Sequence, residues 1–379
     1  MAITSLYIHV PFCRTKCPYC DFFSVSGQSS ILNRYHDLLL RQLEMALRQK
    51  RLSAPLATIF FGGGTPSLLS PAAVAAILTR LSGSPGIAPR AEISLEANPG
   101  TVSLEKLQEY RAAGVNRLSL GVQSLHSASL ERLGRSHSVK EAVEAFGWAR
   151  QAGFSSLSCD LMFGLPGQRR QDLAVELEAI LRLEPDHLSC YGLTVEEETP
   201  FHHLHKAGGL PLPEEEDYRE MFLVIHDRLL AAGFQHYEIS NYAKPGHVCR
   251  HNLVYWQRQG YLGIGGGAHS FLPVGWGERW SVAPDLAEYE ARLARGEEPA
   301  EQLETFDREG AMAETLYLGL RTAQGVAEAD FLRDFGAGVR TAFPEAVTRC
   351  GSHLKLRDGR WRMDLPGWLI YNHLIEGFL

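Results

Sequence analysis

Three cysteines, Cys13, Cys17 and Cys20, fall within the stretch PFCRTKCPYCDFF, and their Cys-x3-Cys-x2-Cys spacing supplies no fourth. Thiolates are soft ligands suited to zinc or to iron–sulfur centres. Structural zinc takes closed sets of four ligands, and no second Cys-x2-Cys completes such a set; Cys249 and His251 would be distant recruits. An iron–sulfur cube held by three thiolates instead leaves one iron open to a small chelating ligand. A glycine triplet in GGGTP, Gly62 to Pro66, offers main chain free of side chains, as a turn or as a surface that a ligand can approach closely.

These residues need elements to position them. Short β-branched or aromatic runs recur as SLYIHV near Tyr7, ATIFF near Ile59, EISLEA near Ile93, RLSLGV near Leu118, SLSCDLMF near Leu157 and HLSCYGL near Leu188. Between them lie segments of helical period, such as ILNRYHDLLLRQLEMAL, while SLEKLQEYRAAG and KEAVEAFGWARQAG both close on glycine. This alternation predicts a partial parallel (β/α)6 TIM-like barrel. Such a barrel brings its strand ends to one rim, where Cys13, GGGTP, Glu96, Asn98, Gln123 and Asp160 would face a common pocket.

After about residue 200 the pattern changes. Glu214 to Asp217 follow Pro213 and suit the first turn of an amphipathic helix, where carboxylates complement the helix dipole. Beyond residue 300 the pattern predicts a smaller, mostly helical carboxy-terminal domain containing a hairpin turned at Asp358-Gly359. The expected divisions are a barrel over 1–200, an extension over 201–300 and the helical domain over 301–379.

The chain has 379 residues, 45% of them hydrophobic, which suffices for a full core. Its net charge of −7 argues against a nucleic-acid partner, whose phosphates call for basic patches. No apolar run approaches the ~18 residues of a membrane span, and MAITSLYIHV lacks the basic start of a signal peptide, so a cytoplasmic address is expected. Cys159 and Cys190 sit within strand patterns and read as small buried residues. In FHHLHKAG, His202, His203 and His205 read as a solvated segment, since nothing fixes a fourth metal ligand. The glycine run before His269 implies close backbone packing or ligand approach.

The three-cysteine loop, with the aromatic Tyr19 before its last cysteine, resembles that of the radical S-adenosylmethionine (SAM) superfamily. The resemblance implies a [4Fe-4S] cluster on Cys13, Cys17 and Cys20, with SAM chelating the open iron and reduced there to a 5′-deoxyadenosyl radical. Within the coproporphyrinogen oxidase branch, Tyr7, Gly63, Gly64, Thr65, Glu96, Gln123, Arg135 and Asp160 match SAM-contacting positions. Carboxylates at Glu96 and Asp160 suit amine or ribose hydroxyls, and Arg135 suits a carboxylate.

Oxidases of that branch carry a further cysteine where this chain has Phe22, and a longer segment before the first strand. The stretch CRHNLVYWQRQGYLGIGGGAHSF is similar instead to the signature of the heme chaperone family HemW, with His251, Asn252, Tyr255 and Trp256 forming H-N-x-x-Y-W. That likeness implies heme held through the His251 imidazole against the flat faces of Tyr255 and Trp256, with Arg250 and Arg258 near its propionates. Read without it, Tyr255 and Trp256 equally suit a core, and His251 a hydrogen-bonded structural role. The expected function is heme delivery to an acceptor, by resemblance a respiratory protein. Transient contact with a membrane surface and a homodimer are both compatible with that role. The alternative is a radical SAM oxidase that decarboxylates porphyrinogen propionates.

Overall fold

All six expected strand segments form strands: β1 (Ser5–Val10), β2 (Leu56–Gly63), β3 (Ile87–Ala97), β4 (Arg117–Gln123), β5 (Ser156–Phe163) and β6 (His187–Gly192). They pair in parallel, each with the next, in a computed structural model that describes residues 2–27 and 29–379. Three short strands, unforeseen from the sequence, extend the sheet: β7 (Gln235–Glu238), β8 (Asn241–Ala243) and β9 (Leu262–Ile264). The final order is β9-β1-β2-β3-β4-β5-β6-β8-β7, with β9 parallel to β1 and the last two strands antiparallel.

The helices between strands cover the outer face. Ser29–Arg48, Pro71–Gly83, Leu104–Ala113, Val139–Gln151 and Arg170–Leu181 follow β1 to β5 in turn. Their ends are set by local chemistry. Ser103 caps the third by accepting from the Lys106 N–H, and Gly114 ends it in the left-handed region at φ 113°. Ser138 and Glu141 form a reciprocal capping box on the fourth. As expected, Glu215, Glu216 and Asp217 open the helix Glu215–Ala231.

Successive strand residues alternate between two different environments. Ile93, Leu95, Leu118, Leu120, Leu157 and Leu161 point outward into the main hydrophobic core, under the helices. The residues between them, Ser94, Glu96, Ser119, Ser158 and Asp160, line a single inner cavity of about 460 Å³. In a flat sheet β2 and β6 would lie roughly 19 Å apart at the usual strand spacing. Phe60 of β2 and Ser189 of β6 nevertheless line that same cavity, so the sheet curls around it. It stays open, because β9 and β7 are its two edges.

A second sheet of His269–Leu272, Glu278–Val282 and Ala300–Thr305 precedes the helix Arg308–Gly319. The expected hairpin joins Leu354–Arg357 to Arg360–Met363, and both turn residues have positive φ, 50° at Asp358 and 70° at Gly359. The closing segment is not one helix, since Ile370 (φ −112°, ψ 27°) separates Leu365–Leu369 from Tyr371–Ile375. Among the described residues no helix is long and apolar enough to cross a membrane.

Candidate functional site

Cys13, Cys17 and Cys20 are free thiols at the wall of the curled sheet's cavity. The loop that carries them leaves β1, and Phe12–Cys13 pairs in parallel with Val25–Ser26, which closes the loop at its base. Within it, the Cys20 N–H donates to the Cys17 carbonyl at 3.2 Å. Burial, as the largest cause, pushes the Cys20 thiol above its ordinary value.

The glycine triplet is built for close approach. A Cβ on Gly64 would lie 2.7 Å from the Phe12 carbonyl oxygen and 3.0 Å from the Cys13 sulfur. Gly63 has φ 113°, and a Cβ there would strike the His9 ring at 2.7 Å. Thr65 follows, with its hydroxyl 3.5 Å from the Cys13 sulfur.

Facing the thiols are two carboxylates and a guanidinium. Glu96 accepts from the Gly63 N–H at 3.2 Å, yet burial and the nearby charge of Asp160 push its pKa up to about 8. Asp160 is also raised by burial, against a 2.9 Å hydrogen bond from Ser119. Two carboxylates sharing a secluded cavity favour a cationic guest between them. Arg135 donates to the Gly121 carbonyl at 2.8 Å and reaches the Cys17 sulfur at 3.6 Å, while its buried Nε has no protein partner. Gln123 sits at φ 65°, a left-handed conformation costing about 1–3 kcal/mol, where β4 slips register against β5 and Tyr191 donates to its Oε1 at 2.6 Å.

These groups fit a SAM-ligated [4Fe-4S] cluster. Three soft thiols have room beside a glycine cradle, the carboxylates can meet an ammonium or ribose hydroxyls, and the Arg135 guanidinium can meet a carboxylate.

Tyr7, expected with this set, does not line the cavity. Its hydroxyl lies 3.0 Å from His9 Nδ1, and His9 Nε2 lies 3.1 Å from the Phe23 carbonyl oxygen. A carbonyl only accepts, so His9 carries its proton on Nε2 and Tyr7 donates to Nδ1. The pair holds the carboxy-terminal side of the cysteine loop.

The H-N-x-x-Y-W residues lie on the short helix Arg250–Trp256. The buried Glu92 of β3 accepts from the backbone N–H groups of both Arg250 (3.0 Å) and His251 (2.9 Å), fixing the helix start from across the chain. Of the four, only Asn252 lines the cavity, together with Cys249. His251 is fully buried, stacked on Phe60, with Nδ1 2.8 Å from the Thr58 hydroxyl and Nε2 2.8 Å from the Tyr255 hydroxyl. Burial lowers its pKa to about 3, so the ring is neutral, and in this arrangement neither nitrogen is free for iron. Trp256 lies under the Arg321 guanidinium, 4.8 Å from the ring centroid. Arg258 pairs with Glu314, and Arg250 donates to the Arg90 carbonyl, so both guanidinium groups have protein partners.

Reading the loops passed over part of the wall. Arg117, Ser158, His187, Ser189 and Tyr191 also line the cavity. Arg117 donates to the Ser156 hydroxyl and the His247 carbonyl, both at 2.9 Å, and His187 is held between the hydroxyls of Ser158 and Tyr237. The signal was in the strands, where polar residues recur at every second position before Glu96 and Asp160.

The histidine tract forms the helix Pro200–Lys206, capped by Thr199. It docks on the cysteine loop: the Phe201 N–H donates to the Pro18 carbonyl at 3.0 Å, and the Phe201 ring lies 6.2 Å from that of Tyr19.

Residues 7–180 match the model of the radical SAM superfamily, and residues 306–370 that of the HemN C-terminal domain. The chain is 37% identical over 346 residues to the heme chaperone HemW of Bacillus subtilis, covering 90% of each chain. It is 45% identical over 270 residues to the Escherichia coli heme chaperone HemW, covering 70% of this chain and 69% of the relative. The Lactococcus lactis heme chaperone HemW is 32% identical over 377 residues, with 99% and 97% covered. Among solved structures, the coproporphyrinogen III oxidase HemN of Escherichia coli superposes with a TM-score of 0.84 at 21% identity, over all of this chain and 90% of that one. That last likeness is one of fold.

Proposed function

The chain belongs to the HemW heme chaperone family of radical SAM proteins, and from that premise we propose that it binds heme as cargo and passes it to an acceptor protein, beside a SAM-ligated [4Fe-4S] cluster. One observation carries the cluster assignment: Cys13, Cys17 and Cys20 open onto the same cavity as Glu96, Asp160 and Arg135. When bound, the cluster supplies an electron to the sulfonium of SAM.

The chain's own residues do the positioning. Gly63 and Gly64, lacking a Cβ, let His9, the Phe12 backbone and the Cys13 sulfur pack close at the cavity wall, and Thr65 steadies the Cys13 sulfur. Glu96 and Asp160 compensate the positive charge of SAM, and Arg135 takes its carboxylate while holding Cys17 in place. Tyr7 acts through His9 on the loop itself.

The test offers anaerobically reconstituted protein hemin followed by apomyoglobin, and in parallel coproporphyrinogen III with SAM and a reductant. A Soret band that moves to apomyoglobin, with no loss of carboxylates from the porphyrinogen, supports a carrier. Stoichiometric decarboxylation would overturn it in favour of an oxidase.

A further inference from the structure

The cavity has two ends, and the residues assigned to SAM occupy one of them. Arg135 donates to the Gly121 carbonyl on the thiol side. Arg117 opens the same strand, roughly 13 Å back along β4 at the usual rise per residue, so the two guanidinium groups are anchored far apart. The segment 247–252 closes this far end. The His247 carbonyl accepts from Arg117 at 2.9 Å, and Glu92 of β3 holds the backbone of Arg250 and His251. Cys249 and Asn252 of that segment line the cavity, as do Arg117 and Ser94.

Three of these side chains have hydrogen-bonding capacity that no protein group uses. Arg117 is 4% exposed, yet only its Nη1 is engaged, by the Ser156 hydroxyl and the His247 carbonyl. Among the described residues its Nε and Nη2 have no hydrogen-bond partner, and no carboxylate lies within ion-pair distance of it. Asp160 shares the cavity, but burial is the chief influence on it and the Arg117 charge one of the weaker ones. Ser94, 2% exposed, is the register partner of Arg117 on β3, and its hydroxyl is buried without a partner. The Asn252 side chain, next in the chain after the His251 N–H that Glu92 holds, likewise makes no hydrogen bond among the described residues.

A guanidinium taken out of water without a counter-charge is costly, and its planar fork matches the two oxygens of a carboxylate. A hydroxyl and an amide beside it add neutral donors that such an anion accepts. The segment 247–252 closes the space beyond and the thiol end is kept for SAM, so the guest is small.

We propose that this end of the cavity binds a small carboxylate, of the size of formate or acetate, on Nε and Nη2 of Arg117, with Ser94 and Asn252 donating to its oxygens. No covalent bond changes: the anion displaces water and offsets the buried charge. The site is separate from the place of the SAM carboxylate at Arg135, and it stands apart from the heme-carrier reading, since it needs neither heme nor cluster.

The experiment follows thermal unfolding of the cofactor-free full-length protein in sodium acetate or sodium formate, against sodium chloride at equal ionic strength. A specific site raises the midpoint in the carboxylates and saturates, and line broadening of isotopically labelled acetate in nuclear magnetic resonance gives the affinity directly. Arg117→Gln should abolish both signals. Ser94→Ala and Asn252→Ala, each removing one neutral donor, should weaken acetate binding by about three- to tenfold, which keeps the test decisive if Arg117→Gln does not fold. Equal midpoints in acetate, formate and chloride would overturn the assignment. So would acetate that broadens as much with Arg117→Gln as with the unaltered chain, or full affinity in Ser94→Ala and Asn252→Ala alike.

Discussion

The Glu92 carboxylate and the backbone of His251, 159 positions apart in the chain, meet in a 2.9 Å hydrogen bond that anchors a short helix to the inner face of a strand. The same carboxylate also holds the Arg250 N–H, so one side chain satisfies two donors at the helix start. Glu92→Ala leaves both without that partner. It should lower the unfolding free energy by about 1–3 kcal/mol, and Glu92→Gln, which still accepts once, by less. Urea unfolding of the two variants checks this; equal stability of Glu92→Ala and the unaltered chain would refute it.

His251 carries a related expectation. Its ring bridges the hydroxyls of Thr58 and Tyr255 and stacks on Phe60, so His251→Ala removes two buried hydrogen bonds and leaves a cavity. A loss of roughly 2–4 kcal/mol follows, measurable by denaturation without any heme present. A variant as stable as the original would show the imidazole to be free for another role.

Gly64→Ala tests the cradle. The added methyl meets the Phe12 backbone and the Cys13 sulfur, neither of which is the far end of a flexible side chain. Iron content after anaerobic reconstitution should fall to a small fraction of the original, while far-ultraviolet circular dichroism stays unchanged. Full iron loading would contradict the geometry.

Glu96 predicts a pH dependence. Its pKa is raised from 4.5 to about 8 by burial first and by Asp160 second, so between these values the folded chain holds a proton that the unfolded chain has released. The contribution is therefore most favourable below pH 4.5 and is lost as pH rises to about 8. Asp160, also raised, acts in the same direction. In the cofactor-free protein the stability advantage of Glu96→Gln over the original should grow from pH 5 to 8.5; a pH-independent difference would count against the assignment.

What could be read in advance was local. β1 to β6 announced themselves by β-branched runs, Gly114 and Gly153 by their place after helical periods, and Asp358-Gly359 by a turn that needs positive φ at both positions. What was missed depends on distant partners. Leu262–Ile264 is three residues long and becomes a strand only by lying beside Leu6 to Ile8. Tyr7 lies on the expected strand, and its bond to His9 could not be read from the sequence because it depends on how the cysteine loop folds back to Phe23. The fate of His251 turned on Thr58 and Glu92, neither of which has any sequence relation to it. The paired Glu92 and Glu96 were visible as an i, i+4 pair that a strand puts on one side, and that was the available sign of a polar interior.

Most parallel barrels fill their centre with branched hydrocarbon, whereas this one lines it with hydroxyls, carboxylates and a guanidinium, and its cohesion falls to the shell between strands and helices. Shaving Leu95 or Leu120 should thus unfold the chain far more readily than trimming Ser94 or Ser119. The same division lets the middle be re-equipped by evolution for other guests at small cost to the scaffold around it.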